Sequence, residues 1–137
     1  MSTREKDVVK KFYDVMNAGD VGRFDEVCSP DLKGHAGAGA NLVQLKMSVG
    51  SFLEAFPDLD TEIRYLIQED GLVSSWVTYI GTHKEEFAGV PATGRGIKIA
   101  GWDLFRIEDG RIVEITQYCD LFTLMNQIGP LPTAAPA

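Results

Sequence analysis

The segment Ile97-Lys98-Ile99-Ala100-Gly101-Trp102-Asp103-Leu104-Phe105-Arg106-Ile107-Glu108-Asp109-Gly110-Arg111-Ile112-Val113-Glu114-Ile115-Thr116-Gln117-Tyr118-Cys119-Asp120 reads as a strand, a tight turn and a return strand. Glu108-Asp109-Gly110 suits a three-residue hairpin loop with glycine in the left-handed position, which sets Ile107 opposite Arg111. Side chains alternate outward from that turn. One face then carries Ile99, Asp103, Phe105, Ile107, Val113, Ile115, Gln117 and Cys119, and the other carries Ala100, Trp102, Leu104, Arg106, Ile112, Glu114, Thr116 and Tyr118. A carboxylate and an amide thus sit among hydrophobes. Burying either without a partner costs roughly 1–3 kcal/mol or more, so Asp103 and Gln117 need structural hydrogen bonds or a function. A two-residue turn would shift the register by one and separate them.

Working outward, Ser2 to Ala18 places Val8, Val9, Phe12, Tyr13, Val15 and Met16 near helical spacing, with Ser2 or Thr3 as cap and Gly19 beyond the end. A short second helix is expected over Val21 to Cys28, stopped by Ser29-Pro30-Asp31, and a third over Leu42 to Phe56. Between them, Gly34-His35-Ala36-Gly37-Ala38-Gly39-Ala40 reads as a loop. The pattern then turns to period two, with Thr61, Ile63, Tyr65 and Ile67 on one side, Asp70-Gly71 as a turn, and a β-prone run from Leu72 to Thr82. Helices followed by about four mostly antiparallel strands predict one α+β domain over residues 1–129, with a loose tail over 130–137. A curved sheet closed by the helices would leave a cone-shaped pocket containing Asp103 and Gln117.

Composition narrows the partners. With 137 residues, 45% hydrophobic, the chain suffices for a single core, and a net charge of −7 argues against nucleic acid or an anionic membrane. No apolar run approaches the roughly 20 residues that span a bilayer, and Met1 to Asp7 lack a signal-type hydrophobic stretch, which predicts a cytoplasmic protein. Cys28 and Cys119 lie far apart with no metal-ligand spacing, so buried thiols are expected, with neither a disulfide nor a metal site. The glycines from Gly34 to Gly39 precede no Gly-Lys-Ser/Thr, which leaves no phosphate-binding reading.

Several segments together resemble one family: Asn17-Ala18-Gly19-Asp20, Pro57-Asp58-Leu59, Gly81-Thr82-His83, Gly89-Val90-Pro91-Ala92-Thr93-Gly94-Arg95 and Phe105 to Glu114. In order and spacing, from about Glu5 to Gly129, they resemble the SnoaL-like polyketide cyclases of the NTF2-like superfamily. The resemblance implies a cone-shaped α+β barrel and a homodimer or homotetramer packed through the outer sheet face, covering Trp102, Leu104, Ile112 and Tyr118. It also implies intramolecular aldol ring closure of a methyl-ester anthraquinone precursor, without metal or cofactor. An Asp on the last strand is the family's acid/base residue and a His on the preceding strand assists. Carried over, the Asp position falls at Gln117 and the His position at Asp103, so a carboxylate has in effect moved to the neighbouring strand.

On this reading Asp103 takes a proton from an activated methylene, Gln117 donates to the developing oxyanion, and His35, where many relatives carry a His, protonates the new alkoxide. Each has a structural alternative: a paired buried carboxylate, an amide that fixes the Asp103 rotamer, and a surface loop histidine. Met16, Phe52, Trp76, His83 and Phe87 are expected to contact an aromatic substrate, Phe56 beside them, although aromatic residues at such spacing also serve simply as core and His83 suits a loop anchor. Asp120 is a reserve carboxylate, and Arg106 and Glu114 are expected to pair across the hairpin's outer face. The alternatives are an epoxide-opening hydrolase or cyclase, which needs two proton-transfer groups and lacks an Asp-Arg-Asp set here, and a non-catalytic ligand-binding accessory protein.

Overall fold

A computed structural model describes residues 3–129; the tail expected over 130–137 lies outside the described residues. Helix α1 (Arg4–Ala18) begins at Thr3, whose hydroxyl accepts from Lys6 N, and ends at Gly19 with φ 73°. A 3-10 helix (Val21–Glu26) leads to β1 (Cys28–Ala36), α2 (Leu42–Ala55), β2 (Asp60–Glu69), β3 (Leu72–Thr82), β4 (Gly96–Glu108), β5 (Arg111–Cys119) and α3 (Leu121–Ile128). The five strands form one open sheet in the order β1-β5-β4-β3-β2, antiparallel except for β1 against β5. The fold is α+β as expected, with one strand more than expected and no closure of the sheet. Among the described residues no helix is long and apolar enough to cross a membrane.

The hairpin departs from its expected register twice. Asp109 and Gly110, both at positive φ (50° and 75°), make a two-residue turn with Glu108 opposite Arg111. A bulge at Val113 then shifts the ladder so that Ile107 faces Ile112 while Arg106 faces Glu114. The bulge restores the parity that the tighter turn removes, and Asp103 comes to stand directly opposite Gln117. What remains is a ladder slid by two residues, with Ile112, expected outside, fully buried and Val113, expected inside, only partly so. A second bulge, at Arg64 on β2, has no compensating shift. Tyr65 and Ile67, expected on the side of Thr61, are therefore turned to the outer face and left largely exposed, and Leu66 packs against the core instead.

Strand β1 is the largest departure from the expected loop. Gly34, His35 and Ala36 pair in parallel with Ile115, Thr116 and Gln117. That pairing joins residues about eighty positions apart, so no local pattern of small side chains announces it. Helix α3 was likewise not expected. Asp120, the reserve carboxylate, caps it by accepting from Thr123 N (3.0 Å) and Thr123 Oγ1 (2.6 Å), which holds its carboxyl below the usual range. Leu124 and Ile128 bury its inner side.

Helix α1 crosses the inner sheet face and is tied to β2 by Asn17, whose Oδ1 accepts from Thr61 N (2.7 Å) while Nδ2 donates to Thr61 O (3.1 Å). One turn earlier, Tyr13 enters the core beside Phe12 and Phe105. This places its hydroxyl over β3 and β4.

Candidate active site

Asp103 lies on the inner face of β4, only 2% exposed. Its Oδ2 accepts from the Tyr13 hydroxyl, and Ser75, opposite Asp103 on β3, stands 2.6 Å from that hydroxyl. With Tyr13 donating to the carboxyl, Ser75 is the donor to Tyr13, so the three groups form a directed chain. Asp103 Oδ1 has no hydrogen-bond partner. Burial raises the Asp103 pKa to about 7, against the Tyr13 bond and the nearby Gln117 amide, both of which favour the charged form. Gln117 thus acts at short range without meeting Oδ1 in hydrogen-bond geometry. Tyr13 is itself driven well above the usual tyrosine range, first by burial and then by the Asp103 charge, which keeps it a donor.

Beside this cluster opens a cavity of about 90 Å³ between α1, α2 and the inner sheet face, lined by Met16, Gly37, Ser48, Val49, Phe52, Tyr79 and the β5 run Gln117, Tyr118 and Cys119. Gly37 N donates to Gln117 O (2.9 Å), and Ser48 Oγ donates to Gly37 O (2.7 Å). Burial pushes the Cys119 thiol up to about 11, so it stays protonated at neutral pH. Gln117 reaches this space, whereas Asp103 stands behind the wall.

The expected site residues separate into three groups. Asp103, Gln117, Met16 and Phe52 gather at or beside the cavity. Phe87 and His83 lie one layer back, Phe87 against Phe52 and Phe56 (5.5 and 5.4 Å between ring centres) and His83 fully buried against Phe56 (5.6 Å). His83 Nδ1 accepts from Thr93 N (3.2 Å), and its backbone bonds to Gly94 and Arg95, so it anchors the loop after β3. His35 and Trp76 are on the other face of the sheet. His35 Nε2 meets Glu114 Oε2 at 2.8 Å, half exposed, and Glu114 also holds Arg106 as expected (3.3 Å). Trp76, expected as a pocket wall, instead stacks on Trp102 (5.6 Å, 18°), which stacks on Tyr118 (6.1 Å, 20°). The reason is parity: Val73, Ser75, Val77 and Tyr79 take the inner face of β3, and Trp76 falls between them.

Tyr13, Ser75 and Tyr79 were absent from the expected site. A tyrosine on the buried stripe of a helix needs a partner for its hydroxyl, and two polar residues share the inward parity of β3; both signals were present in the sequence. Among the described residues no group of three or more His, Cys, Asp or Glu side chains could hold a metal ion.

The model of the SnoaL-like polyketide cyclase family matches residues 6–128. The chain belongs to that family. Solved structures agree in fold. IdmH of Streptomyces antibioticus, a candidate polyketide cyclase, is 27% identical with a TM-score of 0.83, over 93% of this chain and 100% of that one. AclR of Streptomyces galilaeus, a candidate hydroxylase, is 25% identical with a TM-score of 0.85, over 95% and 83%. A SnoaL-like polyketide cyclase of Agrobacterium tumefaciens, at 17% identity and a TM-score of 0.76 over 94% and 100%, shares the fold. No curated protein sequence matches the chain. In this SnoaL-like protein the inner face of the central hairpin carries its carboxylate on β4 and an amide opposite on β5.

Proposed function

We propose that this protein is a polyketide cyclase of natural-product biosynthesis that closes a ring by an intramolecular aldol step, with Asp103 as general base and without a cofactor. One observation carries the reading: a buried carboxyl with a pKa raised to about 7 and one unpartnered oxygen stands behind the amide that enters an apolar cavity. A base near neutrality suits a carbon acid flanked by carbonyls. Asp103 takes the methylene proton, the carbanion attacks a carbonyl carbon of the same molecule to form the new C–C bond, and the protonated Asp103 returns its proton to the alkoxide. Gln117 donates to the oxygen that gains charge. His35 has no part in this scheme because it lies on the opposite face. The epoxide reading loses its second proton-transfer group for the same reason.

The scheme asks for one movement. Gln117 must turn its amide onto the substrate oxygen and uncover Asp103 Oδ1. A cavity of about 90 Å³ takes the reacting end of an aromatic substrate and leaves the rest of a larger molecule at its mouth. On the outer face, Tyr65, Ile67, Trp76, Trp102, Leu104 and Tyr118 are each at least 40% exposed. An apolar band of that extent supports a homodimer packed sheet to sheet, which a concentration-dependent mass in sedimentation would reveal.

The test is deuterium uptake at the active methylene of a tricyclic aromatic methyl ester in deuterated water, read by mass spectrometry. Enzyme-dependent uptake or ring closure is expected, falling about 10²–10⁴-fold in Asp103→Asn. Equal uptake in the variant would remove Asp103 from the chemistry. The burial of Asp103 behind Gln117 favours a second reading, a ligand-binding protein without turnover, which predicts tight binding of the ester and its recovery unchanged.

A further inference from the structure

Tyr79 is a polar residue of the cavity wall that the scheme above does not use. It sits on the inner face of β3, opposite Ile99 and 6% exposed. Its ring lies over the backbone of Gly101: a Cβ there would collide with Tyr79 Cε2 and stand 3.2 Å from Cζ. The absent side chain at Gly101 is what admits the ring. From β3 the ring spans β4 toward β5, where Gly101 faces Cys119, and Cys119 and Gln117 share the cavity wall with it.

The Tyr79 hydroxyl makes no hydrogen bond among the described residues. Tyr13 differs, its hydroxyl being committed to Ser75 and Asp103. The Tyr79 oxygen is also not one of the sealed, unpaired side-chain atoms, which are Thr61 Oγ1, His83 Nε2 and Asp103 Oδ1. It therefore keeps access to open space, and the open space that Tyr79 borders is the cavity. Burial, Asp103 and Cys119 all push its ionisation well above the usual tyrosine range, so the group is a hydrogen-bond donor at neutral pH. A donor in an apolar cavity with no acceptor of its own is matched to an acceptor that arrives with a ligand.

We propose that Tyr79 and Gln117 form a two-donor cradle for one oxygen of a planar conjugated ketone, enol or phenol, the Tyr79 hydroxyl and the Gln117 amide each donating to it. The inference rests on the reading of this cavity as the active site, and it names the substrate's anchoring group. Met16, Val49 and Phe52 supply the apolar walls for the ring that bears the oxygen.

The probe is 4-nitrophenol, whose neutral and ionised forms differ in absorption, with nitrobenzene as the matched ligand without a hydroxyl. The wild-type protein is expected to bind 4-nitrophenol with an enlarged phenolate fraction. Tyr79→Phe is expected to weaken phenolate binding about ten-fold, the effect of one hydrogen bond to a charged acceptor, and to leave nitrobenzene affinity unchanged. Gly101→Ala, which displaces the ring from the backbone side, is expected to lose the same phenolate preference. Equal phenolate affinity in wild type and Tyr79→Phe, a parallel loss of nitrobenzene affinity, or failure of the wild type to bind 4-nitrophenol would each overturn the cradle. If the methyl ester neither exchanges deuterium nor cyclises while Tyr79→Phe still loses phenolate affinity, the cyclase reading falls and the cradle stands.

Discussion

Asp103 and Glu114 are two carboxylates on one hairpin, and their surroundings move them in opposite directions. On the inner face, burial raises Asp103 to about 7 even though Tyr13 donates to it. On the outer face, His35 and then Arg106 hold Glu114 below the usual carboxylate range, in a site where water screens much of the pairing. Position on the pleat, more than residue type, sets the chemistry. The same division holds for aromatic residues: Tyr13 and Tyr79 bring hydroxyls into the interior, while Trp76, Trp102 and Tyr118 form an exposed stack.

The largest effect that tests this contrast is the pH dependence of stability. Asp103 ionises near 4 in the unfolded chain and near 7 in the folded one, so between those values the folded state binds the extra proton. Its contribution is fully present below pH 4 and is lost as pH rises through 7. Wild type is expected to lose about 4 kcal/mol relative to Asp103→Asn between pH 4 and pH 8 in urea unfolding. A constant difference across that range would break the comparison from the inner side. Next, Trp102→Glu places a charge in the middle of the outer stack, and dimer dissociation of at least about 100-fold is expected in sedimentation, with the monomer still folded. An unchanged mass would show that this face is not where copies meet.

A smaller effect is expected from Tyr13→Phe, which removes the bond that favours ionised Asp103. Stability falls by about 1–2 kcal/mol, and the rise of deuterium uptake with pH moves to higher pH because the Asp103 pKa climbs further. Movement to lower pH would mean that Tyr13 does not donate to the carboxylate. The smallest effect belongs to Glu114→Gln, expected to change stability by less than about 1 kcal/mol and to leave deuterium uptake unchanged. A large loss of uptake would place the outer face in the reaction after all.

Much of the inner face was legible because alternation is a local property. Ile99, Asp103, Phe105 and Ile107 on β4 take the inner face that a period of two predicts, whereas on β3 Trp76, expected at the pocket, falls on the outer face between Ser75 and Val77. Asp109-Gly110 marks the turn, which is one residue shorter than the three-residue loop that Glu108-Asp109-Gly110 suits. The bulges at Val113 and Arg64 were not legible, since an extra residue leaves no mark in a run of β-prone side chains. One of them preserved the candidate site and the other turned Tyr65 and Ile67 to the outside. The direction of His35, which the sequence leaves open between pocket and surface, is settled for a related reason: a segment of glycine and alanine becomes a strand because β5 offers it a ladder, and His35 falls on the outer face.

The sequence by itself determined the α+β class, the family, the amphipathic α1 and the presence of a carboxylate and an amide on the inner face, because periodicity and turn chemistry act over a few residues. Only the tertiary structure decided that Tyr13 from α1 meets Asp103 from β4, that Gly101 makes room for Tyr79, and that His35 turns to Glu114. Those juxtapositions depend on helix-to-sheet packing, on the β3–β4 register and on the long-range pairing of β1 with β5, which bring together groups whose separation along the chain carries no signal of their contact.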